Sequence, residues 1–390
     1  MIGDGVAPFE HAYAPADLLV GRGSVGTLGD ALGERGVERA LVVCGSSVAA
    51  NDDLMDPVHS GLGDRLAGVF DGTTPEKSIE EAVAGVERWE ASGADALVAV
   101  GGGSSLDVAK AMRILDAAPR ALETLREEAG ETSRISLPPA ADPAPAAAVP
   151  TTFAGADLSI GGSVAFPDGT RAGLSDRRLM PTVTCHDPAL FETTPDGALR
   201  GSAMNGFDKG IEMAYSRNGN PVTDATAVRG LRHLRDGLPG ALADAAAMER
   251  AVAGTVLVQY GLSTPAASKL GPIHAFGHGL SGGYPLQQGV AHAVAAPLVL
   301  RDVLDSVDAD RALLGEGLEV SADPATLVAA VREVRDALDL PSRLRDVDGP
   351  SPDAFDDVAR TIHEDGCMGN GPAGYDPDVA DLRAILDDLW

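Results

Sequence analysis

The sequence predicts a doubly wound parallel α/β sheet over residues 1–183, followed by an all-helical domain over 184–390. Three observations carry this. Short apolar, β-branched runs alternate with helical stretches as far as Asp187. The run Ala96–Val100 leads straight into Gly101-Gly102-Gly103. Beyond Asp187 the strand signature stops and only helical periodicity continues.

Leu18-Leu19-Val20, closing the stretch His11–Gly21, reads as the first strand, and Gly21–Gly26 turns into a helix through Leu28 and Leu32. Ala40–Cys44 is apolar throughout, the profile of a strand buried on both faces. Gly45-Ser46-Ser47 and a helix toward Leu62 follow it. Leu66–Phe70 is the next strand, ending at Asp71-Gly72-Thr73-Thr74. Ser78–Ser92 places Ile79, Val83, Val86 and Trp89 at helical spacing. After Gly103, Ser104 or Ser105 is expected to cap a helix through Leu106, Val108, Ala109 and Ala111. Pro138–Pro145 reads as a loop, Ala147–Pro150 as a strand leading to Thr151-Thr152, Gly161–Pro181 as a hairpin region and Thr182–Asp187 as the last strand. Helices are predicted at Ala198–Asn218, Pro221–Leu238, Leu242–Tyr260, His274–Gly279 with a short extension, Val290–Val303, Ala325–Leu338, Ser351–Glu364 and Pro377–Trp390.

Parallel sheets of this kind take ligands at the carboxyl ends of their strands, where Gly45, Asp71 and Gly101 fall. Gly101, Gly102, Gly103, Ser104 and Asp107 suggest a phosphate cradle. Without Cβ atoms the backbone approaches an anion closely, and the first helical N–H groups favour negative charge. A plain strand-to-helix turn is the competing reading. Thr151 and Thr152 suit either a cofactor contact or a capped turn.

GGGSSLDVAK at Gly101 resembles the cofactor motif of the iron-containing (group III) alcohol dehydrogenases, a family that includes metal-dependent alcohol and polyol dehydrogenases and the maleylacetate reductases. PTTFAGAD at Pro150, MPTVTCHDP at Met180 and GPIHAFGHGLSGGY at Gly271 resemble the same family. SAMNGFDKGIEMAYSRNGNPVT at Ser202 is most similar to the maleylacetate reductase branch. The resemblance spans nearly the whole chain. It implies the dehydroquinate synthase-like fold, NAD(P)-dependent interconversion of a small carbonyl and its alcohol in a cleft between the domains, and a homodimer.

Metal-using relatives bind one divalent ion through an Asp and a His one turn apart, a His on a second helix and another beyond it. The matching positions here are Asn205, Lys209, His274 and Gln288. A divalent ion needs carboxylate or imidazole donors. Two amides are weak ligands, and an ammonium has no lone pair. Asp208 lies about 100° around the helix from Lys209 and does not restore the carboxylate. The sequence therefore predicts no metal. Lys209 is expected instead to stabilise the developing oxyanion and supply its proton, with Asn205 donating from one turn away. A surface lysine is the bland alternative, set against a chain that elsewhere chooses arginine. His278 matches a family histidine that relays protons beside the nicotinamide, and His274 would serve as a hydrogen-bonding or acid group. Gly366–Asn370 matches a loop that approaches substrate in relatives. His292 reads as a core residue, and His11, His59, His186, His233 and His363 show no partner pattern. A metal enzyme with a rebuilt ligand set and a non-catalytic nucleotide-binding homologue are the rival readings.

NAD-preferring relatives place an Asp after the second strand, where its charge excludes a 2′-phosphate. Gly45 stands there, followed by Ser46 and Ser47, which favours NADP(H) while leaving NAD(H) usable. Arg171 matches a family lysine and is expected at the cofactor's ribose or diphosphate. Lys209 and Arg171 together would suit a keto acid.

The net charge of −28 opposes nucleic-acid binding, and the apolar runs are too short to span a membrane. Met1–Phe9 lacks the basic start of a secretory leader, so the expected location is the cytoplasm. Cys44, Cys185 and Cys367 are too far apart for a zinc pattern and are expected to be free thiols. Only Lys77, Lys110, Lys209 and Lys269 are lysines; the acidic, arginine-based charge suits a salt-rich cytoplasm. The protein is expected to unfold when salt is dialysed away, followed by circular dichroism. Full stability in dilute buffer would refute a halophilic design.

Overall fold

Alternate residues of continuously apolar strands face two separate cores. A computed structural model describes Phe9, His11 and residues 16–263 and 268–390. Most of the sequence preceding Ala16, on which the readings of Met1–Phe9 and the start of His11–Gly21 bear, lies outside the described residues. The first part contains β1 (Asp17–Val20), α1 (Leu28–Glu34), β2 (Ala40–Val43), α2 (Ser46–Ala49), α3 (Asp52–Leu62), β3 (Leu66–Phe70), α4 (Ile79–Ser92) and β4 (Ala96–Gly101). It continues with α5 (Gly103–Ala117), α6 (Leu122–Thr132), β5 (Arg134–Ile135), β6 (Ala146–Pro150), β7 (Gly161–Ala165), β8 (Arg171–Ser175), β9 (Val183–His186) and α7 (Pro188–Phe191). Six strands form a parallel sheet in the order β1-β9-β6-β4-β2-β3. Leu41, Val43, Leu97 and Ala99 point to one face, against Trp89 of α4 and Met112 of α5. Val42, Val98, Val100 and Val149 point to the other, against Leu28 and Leu32 of α1 and Val58 of α3. Both faces are covered, as the unbroken apolar strands require. The expected hairpin is the antiparallel pair β7–β8, on a separate three-stranded sheet.

The second part is helical: α8 (Asp196–Tyr215), α9 (Pro221–Gly237), α10 (Ala245–Leu262), α11 (Pro272–Ser281), α12 (Gln288–Ser306), α13 (Arg311–Leu318), α14 (Pro324–Ala337), α15 (Phe355–Glu364) and α16 (Val379–Leu389). Several acidic residues have a structural use as caps. Asp244, Asp323 and Asp378 each accept a hydrogen bond from the first turn of a helix, where the dipole favours negative charge. No helix among the described residues is long and apolar enough to cross a membrane.

Two expectations need correcting. The compact units divide at Thr194/Pro195, not at 183/184. β9 begins at Val183 and pairs with both β1 and β6, and Glu192 is ion-paired with Arg22, so these residues complete the first unit. Neither Ser104 nor Ser105 caps α5: the N-cap is Gly102, and both serines lie inside the first turn.

Candidate active site

The carboxyl ends of four adjacent strands, β6, β4, β2 and β3, bring Thr151-Thr152, Gly101–Ser104, Gly45–Ser47 and Asp71 to one edge. Gly101 sits at φ 126°, a conformation L side chains rarely adopt, and this lets β4 turn directly into α5. Gly102 supplies no side-chain cap, so the N–H groups of that first turn are left for an anion. A cradle a Cβ would narrow, opening a fifteen-residue helix, fits a nucleotide diphosphate. Thr151 donates its N–H to Gly101 O at 3.1 Å. Ser46 and Ser47 are exposed in the opening turn of α2, and Asp71 is exposed beyond β3.

Several of these residues also have structural duties. A Cβ on Gly45 would come within 2.9 Å of Thr73 O, so glycine is required there by packing as well. Asp107 is buried, and its carboxylate accepts from Lys77 Nζ at 2.7 Å and from the Ser163 N–H at 3.2 Å. Arg171 opens β8 on the other sheet and, among the described residues, makes no hydrogen bond to this strand edge. His186 does have a partner, contrary to expectation: buried Asp157 lies 2.6 Å from its Nε2.

In the helical unit, α8 carries Asn205, Asp208, Lys209 and Glu212 within two turns. Lys209 is half-buried and donates to Gln259 Oε1 on α10 at 3.1 Å. His274 on α11 is buried; its Nδ1 lies 2.5 Å from Glu212 Oε2, and its backbone N–H donates to the other carboxylate oxygen at 3.0 Å. The His292 ring on α12 stands edge-on to His274, centroids 4.4 Å apart, and its Nδ1 lies 3.2 Å from Asp208 Oδ2. Glycine at 277 makes this stack possible, since a Cβ there would meet His292 Nε2 at 2.2 Å. His292 is thus a core residue, as expected, but a partnered one. His278, one turn beyond His274, pairs through Nδ1 with Asp365 Oδ2 at 2.8 Å. A cavity of about 530 Å³ adjoins this pair, lined in part by Asp365, Arg217, His363 and Tyr375.

Burial sets the electrostatics. It pushes His274 well below the usual imidazole range, and the charges of Lys209 and His278 push the same way. His292 is lowered by burial and then by its imidazole neighbours. Burial raises Asp208, with Glu212 adding to the effect. Glu212 is pushed up to about 7 by burial, against the pull of three backbone N–H groups. Burial would raise Asp365 too, but the His278 hydrogen bond and the Cys367 N–H outweigh it and hold the carboxyl down to about 2. Burial keeps the Cys44 and Cys185 thiols up at about 12, and all three cysteines are free.

The positions that relatives use for a divalent ion do not fit one here. Asn205 Oδ1 and His274 Nε2 are buried without partners among the described residues, so lone pairs are present. A further position is an ammonium, Lys209, whose charge already depresses His274. One imidazole, two amides and a cation do not make a divalent site. The one described group with metal-ligand composition is His278, Asp365 and Cys367, whose ligand atoms lie within 4.8 Å of one another. The histidines and Lys209 are legible in the sequence; Glu212, Gln259 and Asp365 are not. Two acids one turn apart on α8 were the available signal for Asp208 and Glu212.

Residues 15–188 match the iron-containing alcohol dehydrogenase model, and residues 201–390 match the Fe-containing alcohol dehydrogenase family C-terminal model. The chain is 31% identical to a 4-hydroxybutyrate dehydrogenase of Cupriavidus necator over 371 residues, 90% of this chain and 92% of that one. It is 29% identical to a maleylacetate reductase of Rhizobium sp. (strain MTP-10005) over 309 residues, 77% of each. The crystal structure of a 1,3-propanediol oxidoreductase superposes with a TM-score of 0.88 at 21% identity, covering 98% of this chain and 100% of that one. This protein belongs to the iron-containing alcohol dehydrogenase family.

Proposed function

We propose that the protein is an NAD(P)H-dependent oxidoreductase that interconverts a small carbonyl compound and its alcohol without a metal, Lys209 doing the work of the cation. The observation that carries this reading is the half-buried Lys209 ammonium, set among imidazoles that burial keeps neutral. The names of the relatives, a dehydrogenase and a reductase, support the redox class.

A bound nicotinamide nucleotide supplies or accepts the hydride. In the reducing direction Lys209 donates a hydrogen bond to the carbonyl oxygen and opposes the charge that builds there as the carbon is reduced. The ammonium then passes a proton to the alkoxide, leaving an amine. Asn205 donates through its amide, and neutral His274 accepts or donates at Nε2. His278 is open to water and backed by the Asp365 carboxylate, so it can return a proton from solvent. Gly45 with exposed Ser46 and Ser47 favours NADP(H), since no carboxylate at that position opposes a 2′-phosphate. The positive charge of Lys209 favours a keto acid over a neutral aldehyde. A cytoplasmic homodimer completes the reading.

The test is oxidation of NADPH and NADH by the purified protein with aldehydes, ketones and 2-oxo acids, with and without a chelator, alongside elemental analysis. Turnover that prefers NADPH and ignores the chelator is expected. One bound zinc or iron per chain, with activity lost on chelation, would favour a rebuilt ligand set, for which His278, Asp365 and Cys367 are the available donors. Nucleotide binding with no turnover would make the protein a non-catalytic homologue.

A further inference from the structure

Lys110 lies on α5, two turns beyond the glycine cradle, and is 3% exposed. A buried ammonium is costly unless well partnered. Its Nζ donates to two backbone carbonyls of the chain that follows β6, Ala156 O at 2.9 Å and Gly161 O at 2.6 Å. Asp107, one turn earlier on α5, holds the next residues through the Ser163 N–H. Asp157, 1% exposed, is fastened from β9 by His186. Three buried side chains on two elements therefore grip one stretch, 156–163, an irregular run that leads into the first residues of β7. That stretch borders the cradle at Ala156, whose Cβ would stand 3.7 Å from a Cβ on Gly103, and the chain just before it borders the cradle at Thr152, whose Cγ2 would stand 3.4 Å from a Cβ on Gly102.

We infer that Lys110 is a positioning residue for the nucleotide: by tying down Ala156 and Gly161 it fixes the gap between the 151–163 chain and the N-terminus of α5 before the nucleotide arrives. This rests on the nucleotide-binding reading above. A loop irregular enough to need carbonyl partners from a buried ammonium would otherwise be ordered by the ligand, at a cost in affinity. The grip bears on binding and not on the hydride step, because Lys110 spends its donors on backbone oxygens.

Two measurements test it. In Lys110→Met, the Kd for NADPH, read by fluorescence titration, is expected to rise roughly ten- to hundredfold, while kcat at saturating nucleotide stays within about twofold. Lys110→Arg, which keeps the charge and the donors, is expected to recover most of the affinity. A folded Lys110→Met with unchanged Kd, or with kcat lost at unchanged Kd, overturns the inference. The second measurement needs no variant: hydrogen exchange on the nucleotide-free protein should find the 156–163 amides as protected as those of α5. Fast exchange that slows only when NADPH is added overturns the inference even if the Met variant fails to fold. If the unaltered protein binds neither NADPH nor NADH, the nucleotide reading itself has failed, and the exchange result still reports on the grip.

Discussion

Lys209→Met should lower kcat by about 10²- to 10⁴-fold, the range spanned by loss of one oxyanion donor and of a general acid. Methionine nearly matches the length of the lysine stem and removes the charge, so packing on α8 is retained. Removing a half-buried ammonium also relieves a desolvation cost, so thermal stability should hold or rise slightly. Nucleotide affinity should not change, because the cradle on α5 makes no use of this side chain. Lys209→Arg should not rescue turnover: the guanidinium keeps the charge but does not release a proton. A split of this kind, with kcat lost and nucleotide Kd kept, separates a catalytic role from a structural one. Unaltered turnover in the Met variant would end the Lys209 mechanism.

The parallel sheet was legible because its strands are apolar on both faces. Leu41-Val42-Val43 and Leu97-Val98-Ala99 serve two cores at once, and that leaves an unbroken hydrophobic run. Elements with little burial were not legible. α6 buries only Leu125 and Ala129 on a charged helix, and α13 is short and glycine-containing. The boundary at 183/184 cuts through a strand that is itself legible, Thr182–Asp187; its pairing with β1 and β6, which keeps it in the first unit, is not encoded locally. The serines after Gly103 have the composition of caps, because serine is a favoured N-cap residue. Here Gly102 occupies that place and the helix runs through the serines.

The site divides in the same way. The family resemblance points to Asn205, Lys209, His274 and His278, and the four-residue spacing of the two histidines adds to it. Their electrostatic partners come from other elements. Glu212 meets His274 across 62 residues of sequence, Asp208 meets His292 across 84, and Asp365 meets His278 across 87. Those partners keep the two inner imidazoles buried and in place, and they leave the outer one open to solvent.

The second large effect is a gain. A variant combining Asn205→Asp, Lys209→His and Gln288→His should bind one zinc or ferrous ion per chain, with a chelator-sensitive rise in Tm that the unaltered protein lacks. His274 is already oriented for this: Glu212 holds its Nδ1, and Nε2 has no partner among the described residues, the arrangement that carboxylate–histidine–metal sites use. The obstacle is the ammonium, which both occupies the position and repels the ion. Lys209→His alone removes that repulsion but leaves two amides, and should bind weakly. Asn205→Asp supplies an anion one turn away on the same face. Gln288→His adds an imidazole beside His292, whose Nε2 lies 3.5 Å from the present amide. With free metal at a thousandfold excess over Kd, linkage stabilises the folded state by about 4 kcal/mol, which thermal melting resolves easily. If the triple variant binds no metal while Lys209→Met also leaves turnover intact, the two losses together mean that this pocket is neither a metal site awaiting its ligands nor a lysine-based replacement for one.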